Sequence, residues 1–467
     1  MPNGKSPLFA LALSLLIAFS PAVSTAEEQP VPEVWTVRQA VRFALESSPD
    51  SRIIRQRIDA ARALVQQTRA AFYPRIGVSG QYSQTDNPMY SFGNILTQGE
   101  FNQAINFNDP GRTDDLNLSA NIEYRLYNGG RDLAGLSAAK AGAEAATNDY
   151  QALQGRLGFE VVRAFFSIVQ AEETVQSRQS QMDAINASLA VAKARFEEGV
   201  LLRSELLNLK VQEANARENL IVARHGLELA KRGFNNLLGL KGGDVRLDPL
   251  QDQAVTPPAD AGYTGRPELQ GIDALIRAAS ARLRQAEGNR YPTADAFASY
   301  QTDKGYDSLH GSGNSWLAGL RLNYTIFEGN RSGALVAEAR SRLNEAREQN
   351  RKLDLAIALE VEQARLALIQ AEERLAVTGK MAELALENAQ INRERFKEGV
   401  VLSADLIEVE NRLTDARVHQ TQAKAGRRIA IADLRRAMGL GQFDEPTAPG
   451  AAEPATTESN QLKGGGN

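Results

Sequence analysis

The 467-residue chain has no cysteine, only three histidines (His225, His310 and His419, far apart) and a net charge of −4. Without cysteine it gains nothing from disulfides and cannot carry a lipid on an N-terminal thiol. Scattered histidines and the lack of a phosphate-cradling Gly-Lys motif leave no catalytic constellation, so no enzyme, metal or cofactor chemistry is expected. The charge balance offers no concentrated basic patch, which excludes a nucleic-acid surface. One apolar run stands out, Leu8 to Phe19, with Lys5 before it and Ser24-Thr25-Ala26 after Pro21. This is the pattern of a cleaved secretory signal over residues 1–26. No other stretch approaches the ~20 apolar residues of a transmembrane helix. A membrane can then be crossed only by β-strands.

What the chain does have is a copy of itself. The segment Leu126 to Leu240 recurs 200 positions later as Ile326 to Leu440, with roughly a quarter of about 115 pairs identical, a period far beyond any solenoid repeat. Gly129 and Arg131 map to Gly329 and Arg331, and Arg195-Phe196-Glu197-Glu198-Gly199-Val200 maps to Arg395-Phe396-Lys397-Glu398-Gly399-Val400. The expected organisation is a signal (1–26), a first repeat (27–240), a linker (241–262), a second repeat (263–440) and a disordered tail (441–467) rich in Pro, Ala, Thr and Gly.

Each repeat reads as helix, two strands, then a helical hairpin. Tyr73-Pro74 and Tyr291-Pro292 stop the first helix, because proline disfavours helix in the residue before it. Ile76, Val78, Gly80 and Tyr82 alternate in one strand, and Leu116, Leu118, Ala120, Ile122, Tyr124 and Leu126 in the next. The second copy offers Phe297, then Ala318, Leu320, Leu322, Tyr324 and Ile326. About Gln84 to Asp115 and Gln301 to Ser315 read as polar loops. A strand of ~10 residues with one apolar face fits a tilted membrane-crossing strand, although a half-buried soluble strand alternates the same way.

Beyond Gly129-Gly130 and Gly329-Asn330 only isolated glycines interrupt Arg131 to Glu198 or Arg331 to Glu398, which predicts helices of about 100 Å. Leu157, Val161, Ala164, Ile168, Ala171, Val175, Met182, Ile185, Leu189, Ala192 and Phe196 step by four and three, a heptad seam. The seam resumes after Gly199 and Gly399, so each repeat ends in an antiparallel hairpin of unequal arms. Four strands cannot close a barrel, and an open edge is not tolerated in lipid. The strands must be pooled: two chains give eight, three give twelve, and three suits so long a helical tube better.

With the duplicated unit, the Tyr-Pro strand starts, the strand–Gly–Gly/Asn–Arg junctions and the Arg-Phe-x-x-Gly-Val tips followed by Glu205 or Asp405, the chain from Val34 to Leu440 resembles the TolC-like outer-membrane efflux protein family. The resemblance implies an α+β membrane protein: long helical hairpins forming an α-barrel, and four strands per chain pooled in a trimeric transmembrane β-barrel. It implies a homotrimer in the Gram-negative outer membrane, in contact with its lipid and with a large periplasmic part. Such a protein is the passive exit duct of a tripartite pump or type I secretion system. Its partners would be a periplasmic adaptor and an inner-membrane transporter of the RND or ABC type. The family's acidic constriction falls on Asp405 and Glu408, which share a helix face. Its locking Arg and Tyr positions fall on Val401 and Phe396, so the lock must be made differently, with Arg203 near Glu205 as one candidate. Adaptor docking falls on the tips: Arg195, Phe196, Gly199, Arg395, Phe396 and Gly399. The alternative is a secreted coiled-coil scaffold or adhesin with a small soluble sheet. The exported cargo is not written in the duct.

Overall fold

The computed structural model describes residues 31–251, 256–258 and 262–443. The signal segment, part of the linker and the tail from residue 444 lie outside the described residues. The chain opens with α1 (Val37–Ser47) and α2 (Pro49–Arg69). A capping box starts α1: Thr36 Oγ1 accepts from Gln39 N–H while the Gln39 side chain accepts from Thr36 N–H. Tyr73 is extended (φ −112°, ψ 153°), and after Pro74 the strand β1 (Arg75–Thr85) begins. A short helix α3 (Pro88–Thr97) follows, then β2 (Thr113–Tyr127). The stretch that reads as a polar loop therefore contains a helix, started by Asn87 as N-cap and Pro88 in the first turn.

The first hairpin is α4 (Arg131–Glu197) and α5 (Arg203–Leu237), 67 and 35 residues long. The second half repeats this: α6 (Pro267–Glu287), β3 (Thr293–Lys304), β4 (Ser312–Asn323), α7 (Arg331–Lys397) and α8 (Ser403–Ala437). The unequal arms match the sequence expectation, and the last two also have 67 and 35 residues. Strand-to-helix junctions need positive φ. Gly129, Gly130 and Gly329 supply it, and Asn330 (φ 63°) is the one non-glycine residue there among the described residues. Tyr324 and Ile326, expected in the last strand, lie beyond it.

The four strands form one antiparallel sheet in chain order, with β1 and β4 at the edges. In register, Ile76 faces Ile122, Ile122 faces Ala298 and Ala298 faces Ala318. One face is thus apolar over most of its height, turning polar only at the end with Asp114, Thr302 and Asn314, and strongly exposed in the single chain (Val78 82%, Trp316 77%, Leu320 76%). The other carries Asn117, Ser119, Asn121, Glu123 and Arg125, tied to the next strands by Arg125–Asp295 (3.6 Å) and Arg321–Glu123 (3.9 Å).

Away from the sheet, α4 packs against α2, α5, α6 and α8, and α7 against α6 and α8. The largest core sits at the middle of α4, where Leu157, Val161, Phe165 and Ile168 meet Trp35, Phe43 and Phe234. Trp35 also pairs with the segment after α5: its N–H donates to Arg246 O (2.8 Å) and its carbonyl accepts from Asp248 N–H (2.9 Å).

A buried charge cluster fastens the second half at the same height. Arg266, just before α6, bonds Glu268 (2.6 Å), the Glu360 carboxylate and Ala437 O (3.0 Å), while Arg436 bonds Glu360 (2.5 Å) and Asp433 (2.6 Å). Burial pushes the Glu360 carboxyl up, but the hydrogen bonds from Arg436 and Arg266 outweigh it, and the net result lies below the ordinary Glu range. Glu268 is lowered in the same way, burial being outweighed by the bond from Arg266. A depressed carboxyl stabilises fully above its unfolded value and loses that contribution as pH falls through the folded value. Thermal melts followed by circular dichroism should therefore show stability falling in acid, with that limb flattened in Glu360→Gln. Arg266→Ala, which strands Glu268 and leaves Glu360 to Arg436 alone, should cost about 2 kcal/mol at neutral pH, less than a fully buried pair because both carboxylates are about a third exposed. Unchanged melting of Arg266→Ala would show that the cluster adds nothing.

Candidate pore constriction and hairpin tips

The two tips share one turn geometry. Gly199 (φ 79°) and Gly399 (φ 81°) reverse the chain; Val200 N–H and Val400 N–H reach back to Arg195 O and Arg395 O, both at 2.9 Å. Each is the left-handed glycine ending that a helix terminus favours. Their surroundings differ. Phe396 is 2% exposed, packed with Ala192, Leu206, Leu209 and Leu406, whereas Phe196 is 38% exposed. The second tip thus leans on the first hairpin.

Two polar bonds fix that lean. Arg195 Nη1 donates to Phe396 O (3.0 Å), and Ser403 N–H at the start of α8 donates to Glu205 Oε2 (2.8 Å). Glu205 therefore caps a helix of the other repeat, a favourable place for an anion. Arg203, the sequence candidate for a lock, is exposed; Arg195 and Glu205 make the polar ties between the two tips.

Higher up, Asn411 Oδ1 on α8 accepts from Gln181 Nε2 on α4 (2.8 Å) and from Gln212 Nε2 on α5 (2.7 Å). Thr421 Oγ1 donates to Glu173 (2.9 Å). Within the second hairpin Arg393 makes a two-pronged pair with Glu410, the Nη2–Oε2 bond being 2.7 Å and Glu410 only 2% exposed. The hydrogen bond to Glu410 holds the Arg393 guanidinium above its ordinary value against the opposing effect of burial. Sequence reading missed this pair. Its trace is a glutamate between Leu406 and Leu413 on an otherwise apolar seam.

Asp405 and Glu408 are both exposed, on the side of α8 away from buried Leu406, Glu410 and Leu413. Glu408 pairs with Arg412 one turn on. One helix thus carries acidic groups in two settings: Glu410 inward and paired with Arg393, Asp405 and Glu408 outward, the latter paired with Arg412 at the surface. Among the described residues, no group of three or more His, Asp or Glu is placed to hold a metal ion. Nor is any helix there long and apolar enough to cross a membrane.

Comparison with known proteins agrees with this architecture. The family model described as outer membrane efflux protein matches residues 40–240 and 264–440. Outer membrane protein TolC of Vibrio cholerae is 21% identical over 437 residues, covering 87% of this chain and 91% of the relative. Protein CyaE of Bordetella pertussis is 23% identical over 303 residues, 62% of this chain and 60% of the relative. Among solved structures, the outer-membrane channel OprN superposes with TM-score 0.75 at 21% identity, covering 87% of this chain and 90% of that one. The Campylobacter jejuni CmeC outer membrane channel gives 0.76 at 16% identity, with 88% and 87% covered. A four-stranded sheet with an exposed apolar face, continued by two 67-residue helices, is what one subunit of an outer-membrane exit channel with a long periplasmic part requires, and the chain belongs to the outer membrane efflux protein family.

Proposed function

We propose that the chain works as a homotrimer, a passive duct that receives cargo from an inner-membrane transporter through a periplasmic adaptor docked on the hairpin tips. The two repeats, 27–240 and 263–440, each contribute two strands and one helical hairpin to it. The observation that carries this reading is the pair of unpaired sheet edges, β1 and β4, on a four-stranded sheet with one apolar face. Lipid forbids open edges, and three chains of four strands close a twelve-stranded barrel whose polar face lines the lumen. Native mass measured in detergent should give a trimer with intact β signal; a stable monomer with the same signal would overturn the proposal.

In this assembly Asp405 and Glu408 ring the periplasmic end with six carboxylates, two from each of three chains, and make a cation-selective constriction. Their exposure on α8 supports that role. Asp405→Asn with Glu408→Gln should change single-channel conductance little while weakening cation selectivity and block by multivalent cations. If the reversal potential across a salt gradient is the same in the double variant, the constriction lies elsewhere.

A further inference from the structure

The β1–β2 connection does more than join two strands, because α3 lies across the polar face of the sheet. At one side Ser91 Oγ donates to Thr85 O (3.0 Å), the end of β1, and to Gly111 O (2.7 Å). In the middle Asn94 Nδ2 donates to Thr113 Oγ1 (3.0 Å) and Gln98 Nε2 to the Asp115 carboxylate (3.0 Å). Thr113 and Asp115 share the face of Asn117, Ser119 and Asn121, since side chains alternate along β2. At the far side a Cβ on Gly313 of β4 would strike Thr97 O. Gly313 pairs with Asp303, whose carboxylate accepts from Asn117 on that same face (2.6 Å). Ten helical residues rise ~15 Å, about three strand spacings of ~4.8 Å. The helix is therefore as long as one protomer's sheet is wide, and it runs from one edge strand to the other.

Its foundation is fixed from the other side. The Asp114 carboxylate, on the apolar-face register, accepts from the N–H groups of Tyr306 (2.7 Å) and Ser308 (3.0 Å), and Arg112 pairs with Asp307 (2.7 Å). Both connections at this end of the sheet are thus stapled together.

The outward surface of α3 is apolar. Met89 is 82% exposed, Tyr90 67% and Leu96 51%. Beside them Phe92 packs edge-on against Phe101 and Phe107 at ring-centroid distances of 6.0 and 4.6 Å. Lipid cannot reach this surface, because it stands on the face opposite Val78, Trp316 and Leu320. Inside a closed barrel the facing walls are copies of the same chain. From strand spacing and a ~40° tilt, a twelve-stranded barrel has a backbone radius of about 12 Å. A helix with its side chains is about 10–12 Å across, so three of them meet near the axis.

We propose that α3 and its two symmetry copies form an apolar collar that closes the outer mouth of the barrel, each exposed face being covered by the α3 segments of the other two chains. The proposal rests on the trimeric reading above. The duct then has two barriers of opposite chemistry: carboxylates at the periplasmic end and a hydrophobic constriction, which gates by excluding water, at the outer end. Cargo leaves by parting the collar.

Because the chain has no cysteine, Asn121→Cys is a unique probe on the lumen face beneath the collar. In intact cells it should react slowly with an external polyethylene-glycol maleimide. The rate should rise about tenfold when Met89 and Tyr90 are both changed to serine, or when residues 87–108 give way to a short Gly/Ser link, as removal of a hydrophobic constriction requires. Met89→Cys alone should cross-link chain to chain with a bis-maleimide. Equal labelling rates with and without the collar, in samples that native mass shows to be trimers, would overturn the collar and leave the trimer standing. A monomer in native mass would overturn both.

Discussion

Replacing Arg195 and Glu205 together with alanine should raise single-channel conductance several-fold, because the tip of the second hairpin then loses its polar ties to the first and splays more often. The two groups make the bonds that join the tips, Arg195 to Phe396 O at 3.0 Å and Glu205 to Ser403 N–H at 2.8 Å. A hydrogen bond to a charged group contributes about 1.5–3 kcal/mol when buried. At these part-buried positions about 1 kcal/mol each is the safer figure, since water competes for both partners. Losing both then moves the ratio of tied to splayed tips by about thirtyfold in each protomer. The fold survives, because splaying is confined to the tips: Asn411, higher up, keeps its two glutamines, and the core around Trp35 and Phe165 is untouched. Glu205→Gln is the control. An amide oxygen still accepts from Ser403 N–H, so conductance should stay near the parent value. Planar-bilayer recording decides the matter, and an unchanged double variant would show that closure is held elsewhere.

These ties show which parts of the site are legible in a sequence. The 67-residue helices were, because nothing in Arg131 to Glu198 or its copy stops a helix and the seam repeats every seven residues. The strands were also legible through their alternation, but their bounds were not: β3 runs on to Lys304 and β4 starts at Ser312, both inside the Gln301 to Ser315 stretch that reads as a loop because its residues are polar, and apolar Tyr324 and Ile326 continue the pattern past the last ladder bond at Asn323. The helix α3 was hidden by the Asn, Asp and Gly around it, though Asn87-Pro88 ahead of an apolar run is an N-terminal signal. The inequality of the tips could not be read at all. Arg195-Phe196 and Arg395-Phe396 are the same dipeptide in the same turn, and only packing between the repeats buries one phenylalanine and exposes the other. Likewise Glu410 and Glu408 are two glutamates two residues apart on one helix, and the helical turn alone sends one to Arg393 and the other to solvent.

That inequality makes the two tip glycines separable by experiment. Gly199→Val and Gly399→Val both force a β-branched residue into positive φ, a penalty of about 1–2 kcal/mol. Gly199 has open space where a Cβ would stand, so its variant should suffer that strain and nothing more. At Gly399 the new Cβ would run into the Arg195 guanidinium, the group that ties the tips. Gly399→Val should therefore also push Arg195 off Phe396 O and leak ions like the Arg195 and Glu205 double variant, whereas Gly199→Val should not leak. Export separates docking from closure. If both tips seat the adaptor, both valine variants reach the outer membrane as normal trimers and lose export, and changes in the adaptor's own hairpin partly restore it. Gly199→Asn, which tolerates a left-handed turn, should keep export. Normal export by Gly199→Val at normal abundance would remove the first tip from the docking surface. Normal conductance in Gly399→Val would break the link between this turn and the closed state.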